Sequence, residues 1–258
     1  MIKCLFVVQI LTLCFVNSYY SIMNKNWILV VDSGMGGQWT LKKIQSILPN
    51  ENYVFLMDKT NAPYGNKSKK KLIEIADNNI KKLLRIFDIK LVVLACNTLS
   101  STCYDYLQQK YFNLPFVKIE PYFEPSLFNN NPTLLLATKS TIKNNKKIGQ
   151  YKNHQNIFFK GFGKLAKKID ECCGNYDLLQ NYLYCKLKRY RKRNIKNVIL
   201  GCTHYNFIKN QIASVFDNDI RFFENSDKVA KKVYNILKFS GKKNRSSKMG
   251  ELLILQKI

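Results

Sequence analysis

Residues 90–100 read KLVVLACNTLS, and residues 197–207 read NVILGCTHYNF. Each stretch begins with a run of apolar, partly β-branched residues, stops at a cysteine (Cys96 or Cys202), and passes into small polar residues suited to the first turn of a helix. An unbroken apolar run of this length fits a strand buried on both faces, as in a parallel sheet covered by helices. In open sheets of that kind, ligands sit beyond the carboxyl ends of the strands. Two cysteines at equivalent strand ends therefore predict one site approached from two sides.

Upstream, residues 27–31, WILVV, form a strand that runs into Asp32, Ser33, Gly34, Met35, Gly36 and Gly37. Glycines at a strand-to-helix turn let the backbone approach a ligand, and the free N–H groups of the helix start attract an anion. The string is neither GxGxxG nor a P-loop, since no GK[ST] follows, so it gives little support to dinucleotide or ATP binding. Asp32 is placed either to cap the helix or, enclosed among glycines, to take part in chemistry. A second strand, 53–57, leads to 58–65, DKTNAPYG, where Pro-Tyr-Gly is turn chemistry that sets Tyr64 and Gly65 in a loop. Helical spacing of apolar residues marks 69–87, and a helix is predicted over 98–109, directly after Cys96.

Downstream, 115–119 is a strand, 120–121 the crossing point, and 133–137, TLLLA, a strand that ends in Thr138, Lys139, Ser140 and Thr141. Residues 164–171 have helical character and present Asp170 and Glu171, while 220–223 and 229–237 read as a strand and a helix. The basic region 142–193 is otherwise hard to read, and 241–258 reads as a tail that begins basic and loose, with no assigned role. The fold class predicted is α/β, with two pseudo-symmetric domains, each a mostly parallel sheet flanked by helices, and the active site in the cleft between them. The expected division is a targeting segment at 1–20, a first domain from 24–119 plus 221–258, and a second domain from 120–220.

A chain of 258 residues with 46% hydrophobic residues can bury a substantial core, which excludes a disordered protein. Its net charge of +25 attracts nucleic acid, anionic membranes or an acidic small substrate. Heavy joint use of Lys, Asn, Ile, Tyr and Phe is the mark of AT-biased coding, so nucleic acid is the less favoured partner. Residues 1–20 carry an early lysine, a short apolar stretch and then Ser18, the layout of a secretory signal. This predicts entry to the secretory pathway and residence in an organelle, or a cytoplasmic location if the leader does not function. No stable membrane span is expected after its removal. Of eight cysteines, Cys4 and Cys14 fall in the leader, and Cys96 and Cys202 sit at strand ends rather than loops, which fits a reducing compartment. Cys172, Cys173 and Cys185, even with His154, lack metal-ligand spacing, so no metal site is predicted.

A thiolate is a nucleophile and a usable base when cations or helix N-termini lower its pKa. Covalent catalysis by a cysteine and a histidine needs only one thiol, and His204 lies just two residues from Cys202. Two thiols facing one ligand suit a different chemistry, in which one removes a proton from carbon while the other delivers a proton to the opposite face, and the roles exchange with direction. That chemistry demands no metal and no cofactor.

The strings VDSGMGG, APYGNKS, LACNT, IEP, LLLATKST and LGCTHY, in this order over roughly residues 27 to 230, resemble glutamate racemases of the cofactor-independent aspartate/glutamate racemase superfamily. The resemblance implies that Cys96 and Cys202 are the two acid/base residues, assisted in proton transfer by Asp32 and His204. It implies that Asp32, Ser33, Tyr64, Gly65, Asn97, Thr98, Thr138, Thr203 and His204 hold the amino and carboxylate groups of glutamate. A further family acid on a helix of the second domain is matched by Asp170 or Glu171. The resemblance also implies no cofactor, a homodimer, and D-glutamate for peptidoglycan-type synthesis. Two alternatives stay open at this point: a racemase for another amino acid such as aspartate, and a weakly active or inactive racemase-like protein that binds nucleic acid with steep salt dependence.

Overall fold

The structure, a computed structural model, describes residues 25–129, 131–216 and 219–256. The targeting segment expected at 1–20 lies outside these residues. In the first half, strands β1 (Trp27–Asp32), β2 (Asn52–Met57), β3 (Ile89–Leu94) and β4 (Phe116–Lys118) alternate with helices α1 (Gly37–Ile47), α2 (Lys69–Ile86) and α3 (Asn97–Lys110). In the second, β5 (Thr133–Thr138), β6 (Ile157–Phe162), β7 (Asn197–Gly201) and β8 (Arg221–Phe223) are connected through α4 (Lys139–Asn144), α5 (Leu165–Glu171) and α6 (Gln180–Leu187). The chain then forms α7 (Ser226–Phe239) and β9 (Leu252–Leu255).

The strands make two sheets of order β4-β3-β1-β2-β9 and β6-β5-β7-β8, with every pairing parallel. Read from its other edge, the second sheet runs β8-β7-β5-β6 and repeats the order β4-β3-β1-β2. The two halves therefore share one topology, in which Cys96 follows β3 and Cys202 follows the equivalent β7. Every residue of β1, β3, β5 and β7 is buried, which explains why these central strands lack polar alternation. Helix α2 turns Leu72, Ile75, Ala76, Ile80 and Leu83 inward at helical spacing, and the Ser68 hydroxyl caps it by accepting the Lys71 N–H at 3.2 Å. Each fully buried Leu or Ile side chain contributes about 1.5–3 kcal/mol. Val229, Ala230, Val233 and Leu237 of α7 pack with Leu41 and Ile44 of α1, which returns the chain to the first half.

Two sequence expectations need correction, and one stretch left unread gains a strand. Residues 221–223 belong to the second sheet, not the first domain, because β8 pairs with β7 and Phe222 and Phe223 pack on the second-half core. The tail is not loose throughout: β9 pairs with β2 from Tyr53↔Leu252 to Leu56↔Leu255, and its LLIL side chains complete the sheet edge. The lysines of 242–248 conceal this strand in the sequence. The buried Lys90–Glu51 ion pair at 2.5 Å helps to tie the tail down. Lys90 Nζ donates to the Lys242 carbonyl at 2.8 Å, and Glu51 Oε1 accepts the Asn244 N–H at 2.8 Å. Finally, β6 emerges from the unread region, where Lys160 and Gly161 interrupt the apolar run IFFKGF of a partly exposed edge strand. Among the described residues no helix is long and apolar enough to cross a membrane.

Candidate active site

The site forms where the carboxyl ends of the two central strand pairs face each other. Asp32 ends β1 and Thr138 ends β5, each beside a cysteine that follows the neighbouring strand. Cys96 (φ −104°, ψ 123°) and Cys202 (φ −148°, ψ 131°) are both in extended backbone, and a helical turn follows each at once. The backbone N–H groups of Leu99 and Thr98, at the start of α3, bond the Cys96 sulfur. Such donors favour thiolate, yet burial is the larger influence and, with the charges of Asp32 and Cys202, holds the Cys96 thiol above its usual pKa.

Asp32 links the two halves. Its Oδ1 accepts the Gly34 N–H at 2.8 Å, and its Oδ2 accepts the Thr203 hydroxyl from the second half at 3.1 Å. Complete burial pushes its carboxyl up to about 6, against the opposing pull of His204, Gly34 and Thr203. His204 is also buried, which by itself favours the neutral ring, but its contacts with Asp170 and Cys202, and the charge of Asp32, raise its pKa well above the usual value. Its Nε2 lies 3.3 Å from Asp170 Oδ1, an ion-pair approach without an aligned hydrogen bond. A cationic imidazole thus stands among the two carboxylates and Cys202. Glycine is required for this approach: a Cβ on Gly34 would lie 2.8 Å from His204 Nε2, and one on Gly36 2.5 Å from Thr203 Oγ1.

Hydroxyls line another part of the cleft. Thr98 and Thr138 Oγ1 atoms are 2.9 Å apart, joining α3 to the second half, and Thr138 Oγ1 is 2.9 Å from Thr141 Oγ1. Gly65 packs against Thr138, whose Cβ would be 3.1 Å from an added Gly65 Cβ. Ser33 Oγ lies 3.9 Å from Cys96 Sγ and 3.4 Å from Asp32 Oδ1. Asn97 is buried, and its Oδ1 has no hydrogen-bond partner among the described residues.

The structure therefore gathers Asp32, Ser33, Cys96, Asn97, Thr98, Thr138, Thr203, His204 and Cys202, and it decides between the two acids of α5. Asp170 faces His204, whereas Glu171 is exposed and pairs with Lys167 at 3.5 Å, outside the site. Tyr64 is buried beside Cys96 but commits its hydroxyl to Asp58 Oδ2 at 2.7 Å. That carboxylate also accepts from Asn79 and Asn61. Asp58 and Thr141 escape the sequence reading; Thr141 lies three residues after the strand-ending Thr138, a capping spacing that could have revealed it. Among the described residues, no group of three His, Cys, Asp or Glu side chains is placed to hold a metal ion.

No protein-family model matches the chain. A glutamate racemase of Clostridium acetobutylicum is 33% identical over 241 residues, covering 89% of this chain and 93% of that relative. The chain belongs to the glutamate racemase family. A glutamate racemase of Buchnera aphidicola is 32% identical over 213 residues, covering 80% of this chain and 83% of its own length. Among solved structures, the glutamate racemase of Francisella tularensis in complex with D-glutamate superposes with a TM-score of 0.75 at 28% identity, covering 89% of this chain and 87% of that one. Membership in the glutamate racemase family makes the protein an isomerase, an amino-acid racemase, and its two-sheet architecture is that of the glutamate racemase structures.

Proposed function

We propose that the chain interconverts L- and D-glutamate, with Cys96 and Cys202 transferring protons at opposite faces of the α-carbon. The observation that carries this reading is the matched placement of the two cysteines: equivalent strand ends, extended backbone followed by a helical turn, and enough proximity for the charge of Cys202 to act on Cys96. The anionic Asp32 and the unpartnered Asn97 Oδ1 suit the α-ammonium of the substrate. Arrival of that positive charge offsets the burial and Asp32 repulsion that hold the Cys96 thiol neutral, and the thiol proton is released to solvent as the substrate enters. A thiolate then removes the α-proton, and electron density moves into the α-carboxylate. The hydroxyls of Ser33 and Thr98 supply donors there. The opposite thiol delivers its proton to the other face of the carbon, and the imidazolium of His204 assists Cys202. In the reverse direction the sulfurs exchange roles. In this reading the D-glutamate serves peptidoglycan-type synthesis, as the family resemblance implies.

The test uses reduced protein comprising residues 21–258 in deuterated water, without pyridoxal phosphate or added metal. Loss of the α-proton signal is expected from both L- and D-glutamate. Cys96→Ser and Cys202→Ser should each abolish racemisation while leaving one-sided exchange. Absence of exchange in the folded parent, or full activity in both variants, would refute the proposal. Faster exchange of aspartate in a substrate panel would reassign the substrate.

A further inference from the structure

The chain contains six arginines, and three of them, Arg189, Arg191 and Arg193, fall within five residues. A coding bias that scatters lysines gives no reason for this grouping. The stretch 186–193, KLKRYRKR, carries six cationic side chains and no acidic one. It spans the end of α6 and a 3₁₀ turn, Lys188–Arg193. Buried Leu187 and Tyr190 anchor this segment, and the Tyr190 hydroxyl donates to the Phe159 carbonyl at 3.1 Å. The cations are thus carried on the outside of a firmly seated turn.

Aromatic rings organise the arginines. Arg189 lies 4.8 Å from the Tyr190 ring, Arg193 5.1 Å from Phe158, and Arg191 5.8 Å from Tyr184. One nitrogen of Arg189 donates to the Tyr190 hydroxyl at 2.8 Å, and Arg191 donates to the Tyr184 hydroxyl at 3.3 Å; a guanidinium held over a ring in this way is pre-oriented to present its other N–H groups to phosphate oxygens. On the adjacent β6, burial first, and then the like charges of Arg189, Lys186 and Lys139, hold the Lys160 ammonium below its usual pKa. Acidic groups of this part of the fold are engaged elsewhere: Asp170 with His204, Glu171 with Lys167, and Asp177 with Gln211. Like charges gathered in this way oppose folding, and the catalytic cleft makes no use of them.

We infer that the turn Lys188–Arg193, together with Lys160 and Lys186, is a docking surface for single-stranded nucleic acid. A bilayer would require apolar side chains to insert beside the cations, and within 182–193 Tyr184 is the single large apolar side chain that is exposed. One exposed ring among cations is the arrangement that stacks a base while the phosphates are neutralised.

The test is fluorescence anisotropy of a labelled 20-nucleotide single-stranded DNA with the full chain, in 50 and 200 mM KCl. Five phosphate contacts, by Lys160, Lys186, Arg189, Lys192 and Arg193, predict that this fourfold rise in salt weakens binding about a hundredfold. The variant Lys186→Gln/Arg189→Gln/Lys192→Gln/Arg193→Gln should bind more than about tenfold more weakly with a much shallower salt dependence, while its thermal midpoint falls no lower than that of the parent. The control Lys42→Gln/Lys70→Gln/Lys231→Gln/Lys232→Gln removes equal charge from exposed positions elsewhere and should bind within about threefold of the parent. Arg189→Lys/Arg193→Lys keeps every charge and should preserve the salt dependence while losing affinity. Equal loss in the control would overturn the inference, as would binding to phosphatidylserine vesicles without binding to the oligonucleotide, or no binding at all. None of these readouts depends on racemase activity.

Discussion

Replacing Asp32 by Asn should make the protein more stable near neutral pH while removing most of its activity. The Asp32 carboxyl titrates at about 6 in the folded protein against an ordinary value of 3.8. At about 1.4 kcal/mol per pKa unit, keeping it ionised near neutral pH costs roughly 3 kcal/mol. The sign follows from proton binding: between pH 3.8 and about 6 the folded state holds more protons than the unfolded chain, so stability falls as pH rises through that window. The amide of the Asp32→Asn variant carries no charge and escapes this cost. Against the gain, the amide Nδ2 donates where the carboxylate Oδ2 accepted, so the Thr203 hydroxyl must turn and accept instead while Oδ1 keeps the Gly34 N–H, a mismatch that costs about 1–2 kcal/mol. The net expectation is about 1–2 kcal/mol of added stability at pH 7.5, a rise of roughly 2–8 °C in thermal midpoint, vanishing or reversing near pH 4. Loss of the group that meets the ammonium and assists proton transfer should lower the exchange rate by about 10²–10⁴. Thermal midpoints of parent and variant across pH 4–8, read beside α-proton exchange, measure both effects. A variant less stable than the parent at pH 7.5, by the same amount at pH 4.5, would refute the electrostatic account of Asp32.

Two further outcomes are expected. Tyr64→Phe should lower stability by about 1.5–3 kcal/mol in urea melts, because the buried Asp58 carboxylate loses a donor, while the KM for glutamate changes little; a KM raised tenfold or more would mean that the hydroxyl reaches the substrate. Glu51→Gln should cost about 3–5 kcal/mol by leaving the Lys90 ammonium buried without its anion, whereas Glu51→Leu/Lys90→Met should recover most of that loss. Calorimetric midpoints of the single and double variants check this, and a double variant no better than the single would contradict it.

The sequence by itself determined the strands, the glycine turn and the two cysteines at matched strand ends, because these depend on local runs: apolar continuity marks a doubly covered strand, and small polar residues mark the turn after it. Most of the other residues gathered in the cleft were implied by the family resemblance, which carries them over motif by motif. Tertiary structure alone decided between Asp170 and Glu171, neighbours on one helix whose side chains point in different directions, so that only packing selects the one facing His204. It alone placed Arg221–Phe223 in the second sheet and Leu252–Leu255 beside β2, because a short apolar run does not say which sheet edge will accept it. It also turned the Tyr64 hydroxyl toward Asp58 and brought Thr203 to Asp32 across 171 positions of chain. Such pairings depend on where separate segments meet in space, which no local spacing encodes.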